Sequence, residues 1–143
     1  MVYLDTSILV SMALPDPRGK LASNILKSDP AYSSELCIVE CQSGLSQYFA
    51  SRASGLPAAE AALLKLLDRI RLVRLDRSVL EEARTLVRKY RIGVGLRSLD
   101  AIHIASCINM KQQGRPLSLT YLTADRRQHT AFQAEGFSGT LLP

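Results

Sequence analysis

The sequence has 143 residues, 47% apolar and 22% charged, the size and composition of one globular domain rather than a disordered or low-complexity chain. No apolar run approaches the roughly 20 residues of a bilayer-spanning helix. The net charge is +5 and 13 of the 18 basic residues are arginine, whose planar fork suits phosphate oxygens, so a polyanionic partner is favoured.

The opening Met-Val-Tyr-Leu-Asp has no basic segment leading into an apolar one, which gives the expectation of a cytoplasmic protein. Val2-Tyr3-Leu4 reads as a short strand ending at Asp5, and Ile8 to Leu14 as a helical segment stopped by Pro15 and Pro17. Apolar positions 21, 22, 25 and 26 give a helix over Gly19 to Ser28. Ala31-Tyr32-Ser33 is a brief strand, after which Ser34 can cap a helix to about Ser51, with Glu35 in its first turn. Pro57 opens a helix over Ala58 to Ile70, and Leu72 to Leu75 is a strand. Ser78 and Glu81 form a capping box for a helix ending near Tyr90. Ser98 caps a helix from Leu99 to about Gln113, stopped by Gly114. A strand at Leu119 to Leu122, a helix around Arg127 to Glu135 and a strand at Phe137 to Leu142 complete the chain. This alternation implies an α/β sandwich with a mainly parallel central sheet, whose sites form at the carboxyl ends of strands.

Four acids stand out against that frame. Asp5 and Asp125 each follow a strand, where either could simply cap the next helix. Asp100 sits in the first turn of an otherwise apolar helix, where it also complements the helix dipole. Glu40 lies among Leu36, Cys37, Ile38, Val39 and Cys41, so it is either a solvent-facing position or a paired, buried charge. Three cysteines cannot all pair with one another and read as small core residues of a reducing compartment. The spacing of Cys37 with Cys41 and of His103 with Cys107 also allows a tetrahedral zinc site, a reading secondary to core packing.

Taken jointly, the acids resemble a known family. Tyr-Leu-Asp5-Thr-Ser-Ile-Leu-Val resembles the opening motif of PIN domains, and Ser33-Ser34-Glu-Leu-Cys-Ile-Val-Glu40 resembles their second acidic motif. Leu96-Arg97-Ser-Leu-Asp100-Ala-Ile-His-Ile-Ala105 resembles the third, and Leu122-Thr123-Ala-Asp125-Arg126, followed by Gly136-Phe137, resembles the fourth. Order, spacing and chain length are similar to the VapC-type toxins of toxin–antitoxin modules. The resemblance spans the chain as a single domain, residues 1–143, and implies a three-layer α/β/α fold with a Mg²⁺- or Mn²⁺-dependent ribonuclease site. Carried over residue by residue, it implies Asp5, Asp100 and Asp125 as the principal metal carboxylates. Glu40 would complete the set, directly or through water, with Thr6 and Thr123 as hydroxyl supports. His103 is expected to be a packing residue, since a hard Mg²⁺ prefers oxygen donors.

Such a site would hold one or two ions that activate a water and neutralise charge on the leaving oxygen. Arg97, Arg126 and Arg127 flank the acids in sequence and are the expected contacts to the RNA backbone. Arg84, Arg88 and Lys89 read as a solvated helix face balanced by Glu81 and Glu82. The resemblance also implies an antitoxin partner, received on the apolar helices Leu21 to Ile25 and Ala58 to Leu67, and a homodimer. Two readings within the same fold stay open: an RNA-processing nuclease outside toxin–antitoxin systems, and a non-catalytic RNA- or partner-binding module. A phosphotransferase of the haloacid-dehalogenase kind also begins with an Asp after its first strand. It needs a second Asp two residues on, where this chain has Ser7.

Overall fold

The computed structural model describes residues 1–26, 29–52, 54–114 and 118–143. Its elements are β1 (Val2–Leu4), α1 (Thr6–Ala13), α2 (Pro17–Ile25), β2 (Ala31–Ser34), α3 (Cys37–Phe49), α4 (Leu56–Leu67), β3 (Arg71–Val73), α5 (Arg77–Tyr90), α6 (Ser98–Gln112), β4 (Thr120–Thr123), α7 (Arg126–Ala134) and β5 (Ser138–Leu141). The strands form one parallel sheet in the order β3-β2-β1-β4-β5. From β1 the chain winds outward through β2 to β3, then crosses back to lay β4 against the other side of β1. The β1/β4 junction is therefore the point where winding direction reverses, and in parallel α/β sheets a crevice opens there at the carboxyl ends.

The alternation of β1 decides the layering. Val2 and Leu4 point into a core shared with α1 through α4, whereas Tyr3 points into the opposite core, with α5, α6 and α7. Helices thus cover both faces of a sheet whose strands are too short and too apolar to stand in water, which gives the three-layer α/β/α sandwich. The α5–α7 side carries a run of stacked rings, Tyr3 on Tyr121, Tyr121 on Phe132 and Phe132 on Phe137, with centroids 5.4, 4.3 and 4.7 Å apart. Such pairs add about 0.5–1.5 kcal/mol each beyond their buried area.

Aspartates begin four of the helices. Asp5, Asp16, Asp76 and Asp125 each have extended backbone and accept a hydrogen bond from an N–H of the first turn. The expected capping box at Ser78 is corrected: Ser78 lies inside α5, and Asp76, whose backbone is extended, does the capping by accepting from Val79 N at 3.1 Å. Ser98 is likewise the first residue of α6 rather than its cap, and Ser34 belongs to β2, with α3 starting only at Cys37. The helix expected to run to Ser28 closes at Ile25; Ser28 itself lies outside the described residues. Gly114, the expected stop of α6, has φ +74°, the left-handed turn that glycine accepts without strain. Gly19 matters for a different reason: a Cβ there would stand 2.2 Å from the carbonyl oxygen of Ser11, so only glycine lets α2 lie this close on α1.

Candidate active site

A cleft of about 760 Å³ opens at the β1/β4 reversal. It is lined by Asp5, Thr6, Glu40, His103, Asp125 and Gln128, together with Arg97 and Arg18. Asp100 stands immediately behind this surface, joined to it through Gln128 and Arg97.

Asp5 caps α1 at the end of β1 and is 1% exposed. Oδ1 accepts from Ser7 Oγ at 2.6 Å and from Ile8 N at 3.1 Å, while Oδ2 accepts from Thr123 Oγ1 at 2.7 Å. Burial pushes this carboxyl up, and the hydroxyls, the backbone N–H and His103 only partly oppose the shift. Thr123 also accepts from Asp125 N at 3.0 Å, so one hydroxyl joins the ends of β1 and β4. Ser7 makes a second such tie, accepting from Ala124 N at 3.2 Å.

Glu40, in the first turn of α3, accepts from Thr6 Oγ1 at 2.6 Å and from His103 Nε2 at 2.8 Å, both on Oε2. Burial raises its pKa, but the hydrogen bonds and charge of His103 with the Thr6 bond outweigh that and hold it below the usual range. The other ring nitrogen of His103 lies 3.1 Å from the Tyr3 hydroxyl. A carboxylate on Nε2 requires that nitrogen to donate, which makes Nδ1 the acceptor of the Tyr3 proton in the neutral ring. His103 is buried as a packing residue would be, yet it also holds an acid of the cleft.

Asp100 accepts from Arg97 N at 3.1 Å and from Gln128 Nε2 at 2.9 Å. Burial raises its pKa, and the nearby Asp125 carboxylate raises it further. Asp125 is gripped by the residue two positions on: Arg127 gives its backbone N–H at 2.7 Å and its side chain at 3.1 and 2.5 Å. That hydrogen-bonded arginine lowers the Asp125 pKa against the pull of burial.

Of the expected backbone contacts, Arg97 lines the cleft; Arg126 is exposed outside its wall, and Arg127 is turned onto Asp125. Gln128 and Arg18 carried no sequence signal for the site. Gln128 lies on a short polar helix, and only tertiary contact shows that its amide faces Asp100 and its carbonyl faces Tyr121.

The acids suit a divalent ion in kind, being hard oxygen donors around one cleft, and the repulsion between Asp100 and Asp125 is what a cation would relieve. Among the described residues no three Asp, Glu, His or Cys side chains form a ready cage, and every buried side-chain polar atom has a partner. An ion would therefore share most of these oxygens with the protein donors they already accept. The zinc alternative gains no support, because Cys37, Cys41 and Cys107 are buried free thiols and His103 is committed to Tyr3 and Glu40.

A parallel α/β/α sandwich with acids at the carboxyl ends of its two central strands defines the class. The sequence matches the PIN domain family over residues 2–132, and the chain belongs to that family. No curated protein matches it. Among solved structures it is similar to VapBC2 from Rickettsia felis bound to a promoter DNA fragment, at 17% identity and a TM-score of 0.66, covering 99% of this chain and 98% of that one. It is similar to a toxin–antitoxin complex from Klebsiella pneumoniae at 18% identity and a TM-score of 0.60, covering 87% of each chain. A third is Mycobacterium tuberculosis VapC20, a Sarcin-Ricin loop cleaving toxin, at 23% identity and a TM-score of 0.63, covering 96% of each.

Proposed function

We propose that this chain is a divalent-metal-dependent ribonuclease that hydrolyses RNA phosphodiester bonds and acts as the toxin of a toxin–antitoxin pair in the cytoplasm. The observation that carries the reading is the opening of Asp5, Glu40 and Asp125 onto one cleft at the sheet's reversal point, in a chain of the PIN family. Mg²⁺ or Mn²⁺, held by Asp5, Asp100 and Asp125 with Glu40 directly or through water, would supply an activated water and neutralise developing charge. The chain's own part is positioning. Ser7 and Thr123 fix both oxygens of Asp5, Thr6 and His103 keep Glu40 ionised, and Arg97 offers charge to a backbone phosphate.

The toxin role draws on the likeness to the Rickettsia and Klebsiella assemblies. Exposed Leu21, Ile25 and Leu64 on α2 and α4 are the surface on which an antitoxin helix would rest, and a second copy of the chain is a further proposed partner. The test is incubation of the purified protein with a structured RNA carrying an exposed loop, in Mg²⁺, Mn²⁺ or EDTA, beside Asp5→Ala. Metal-dependent cleavage by the wild type alone supports the reading. Metal-insensitive binding without cleavage supports the second reading, a non-catalytic module, which the lack of a ready ion cage among the described residues favours. A neighbouring short reading frame separates a toxin from an RNA-processing nuclease of the same fold.

A further inference from the structure

Besides Arg97, the cleft is lined by an arginine with no counterpart among the sequence motifs. Arg18 stands in the first turn of α2, after the capping Asp16 and Pro17. Asp16 Oδ1 accepts from Arg18 N at 2.8 Å and Nε at 3.1 Å, and Oδ2 accepts from Nη2 at 2.7 Å. Ser11 on α1 steadies the same carboxylate from 3.3 Å. The contact of Gly19 with Ser11 then fixes the whole first turn of α2 against α1.

This anchoring occupies one edge of the guanidinium and leaves the other free. Both N–H groups of Nη1 and one of Nη2 remain, and a phosphate can take one from each nitrogen in fork fashion. The Arg18 side chain is 39% exposed, with Gln47 and Tyr48 of α3 in the same wall. The chain also contains a matching arrangement that differs in one respect. Asp125 and Arg127 repeat the cap-and-fork geometry, but Arg127 is not part of the cleft wall, whereas Arg18 is. A polyanion crossing an acidic floor is favoured by positive charge beside it, and Arg97 and Arg18 come from opposite helical layers, Arg97 at the start of α6 and Arg18 on α2. The Asp5 carboxylate adds a little to the raised pKa of Arg18, after the larger effect of Asp16.

We propose that Arg18 is an RNA-binding residue, a preorganised fork that grips a backbone phosphate in the cleft that Arg97 also lines; this rests on the ribonuclease reading. The experiment measures binding of a labelled single-stranded oligouridine RNA in EDTA over a salt series, for wild type, Arg18→Gln, Arg18→Lys and the exposed control Arg84→Gln on α5. Loss of one phosphate contact lowers the slope of log affinity against log salt by about 0.7. Arg18→Gln shows that loss. Arg18→Lys keeps the slope but binds several-fold more weakly, because an ammonium cannot be forked and anchored together. Arg84→Gln matches wild type. A slope for Arg18→Gln equal to wild type overturns the proposal, and Arg18→Lys binding as tightly as wild type overturns the anchored fork. If wild type neither binds this RNA nor cuts RNA with Mn²⁺, the ribonuclease reading fails first; if it does both and Arg18→Gln is indistinguishable, only the Arg18 assignment fails.

Discussion

Asp5 and Asp125 occupy the same post on neighbouring strands. Each follows a central parallel strand, each caps the next helix, and one threonine hydroxyl touches both residues. Their electrostatic settings are opposite. Asp5 is followed by Thr-Ser, is nearly sealed from solvent, and receives only neutral donors in direct contact, so burial raises its pKa. Asp125 is followed by Arg-Arg and carries its own counterion, so its pKa falls. In this pair the residue two positions after the capping aspartate, Ser7 or Arg127, decides whether the carboxylate meets a neutral donor or a counterion. A metal would relieve the buried charge of Asp5 and compete with the arginine at Asp125.

The largest effect expected is on catalysis, where the two acids should behave alike. Asp5→Asn and Asp125→Asn each lower RNA cleavage by about a thousand-fold or more in single-turnover assays, and retained activity in either removes that residue from the site. Next is the metal itself. Mn²⁺ at about a hundred times its Kd stabilises the wild type by about 2.7 kcal/mol, read as a rise in Tm. Asp100→Asn loses most of this gain, and equal shifts would exclude Asp100 as a ligand.

Smaller is the effect of Thr123→Val, which suits a strand but leaves Asp5 Oδ2 and Asp125 N without their shared hydroxyl. It costs about 1–3 kcal/mol in a denaturant titration, and an unchanged midpoint would deny the bridge. Smallest, and opposite in sign, are the metal-free stabilities of the two acid variants. Asp125→Asn loses about 1 kcal/mol with its arginine pair, while Asp5→Asn raises Tm by removing a buried charge. A carboxyl raised in the fold is most favourable below its unfolded pKa and loses stability as pH rises through the folded value. The Tm advantage of Asp5→Asn therefore holds at neutral pH and fades on acidification. Asp125, lowered in the fold, contributes above its unfolded pKa and is lost as pH falls through the folded value, so the cost of Asp125→Asn also fades in acid.

Much of this arrangement was legible in the chain. The apolar triplets before Asp5 and before Thr123-Ala-Asp125 announce strand ends, and the parallel α/β order follows from their alternation with helices. Helix caps were harder, because Ser78 and Asp76 both suit the start of α5 and only backbone conformation shows that Asp76 holds the post. The supporting partners were least legible. Nothing near Gln128 in sequence points to Asp100, and Asp16-Pro17-Arg18 reads as an ordinary helix start until the fold sets it beside Asp5. His103 was readable as buried, but its bonds to Tyr3 and Glu40 span 100 and 63 residues.

The threonine that spans β1 and β4 has a consequence for how substitutions combine. Because its hydroxyl donates to Asp5 and accepts from the backbone of Asp125, neither acid can shift without changing the other's partner. Variants at the two positions should then be energetically coupled. A double-mutant cycle of Asp5→Asn with Asp125→Asn should return an interaction energy of about 0.5 kcal/mol or more, which falls toward zero when the cycle is repeated on Thr123→Val. With the Ser7 tie beside it, that shared hydroxyl would make two strand ends a single thermodynamic unit.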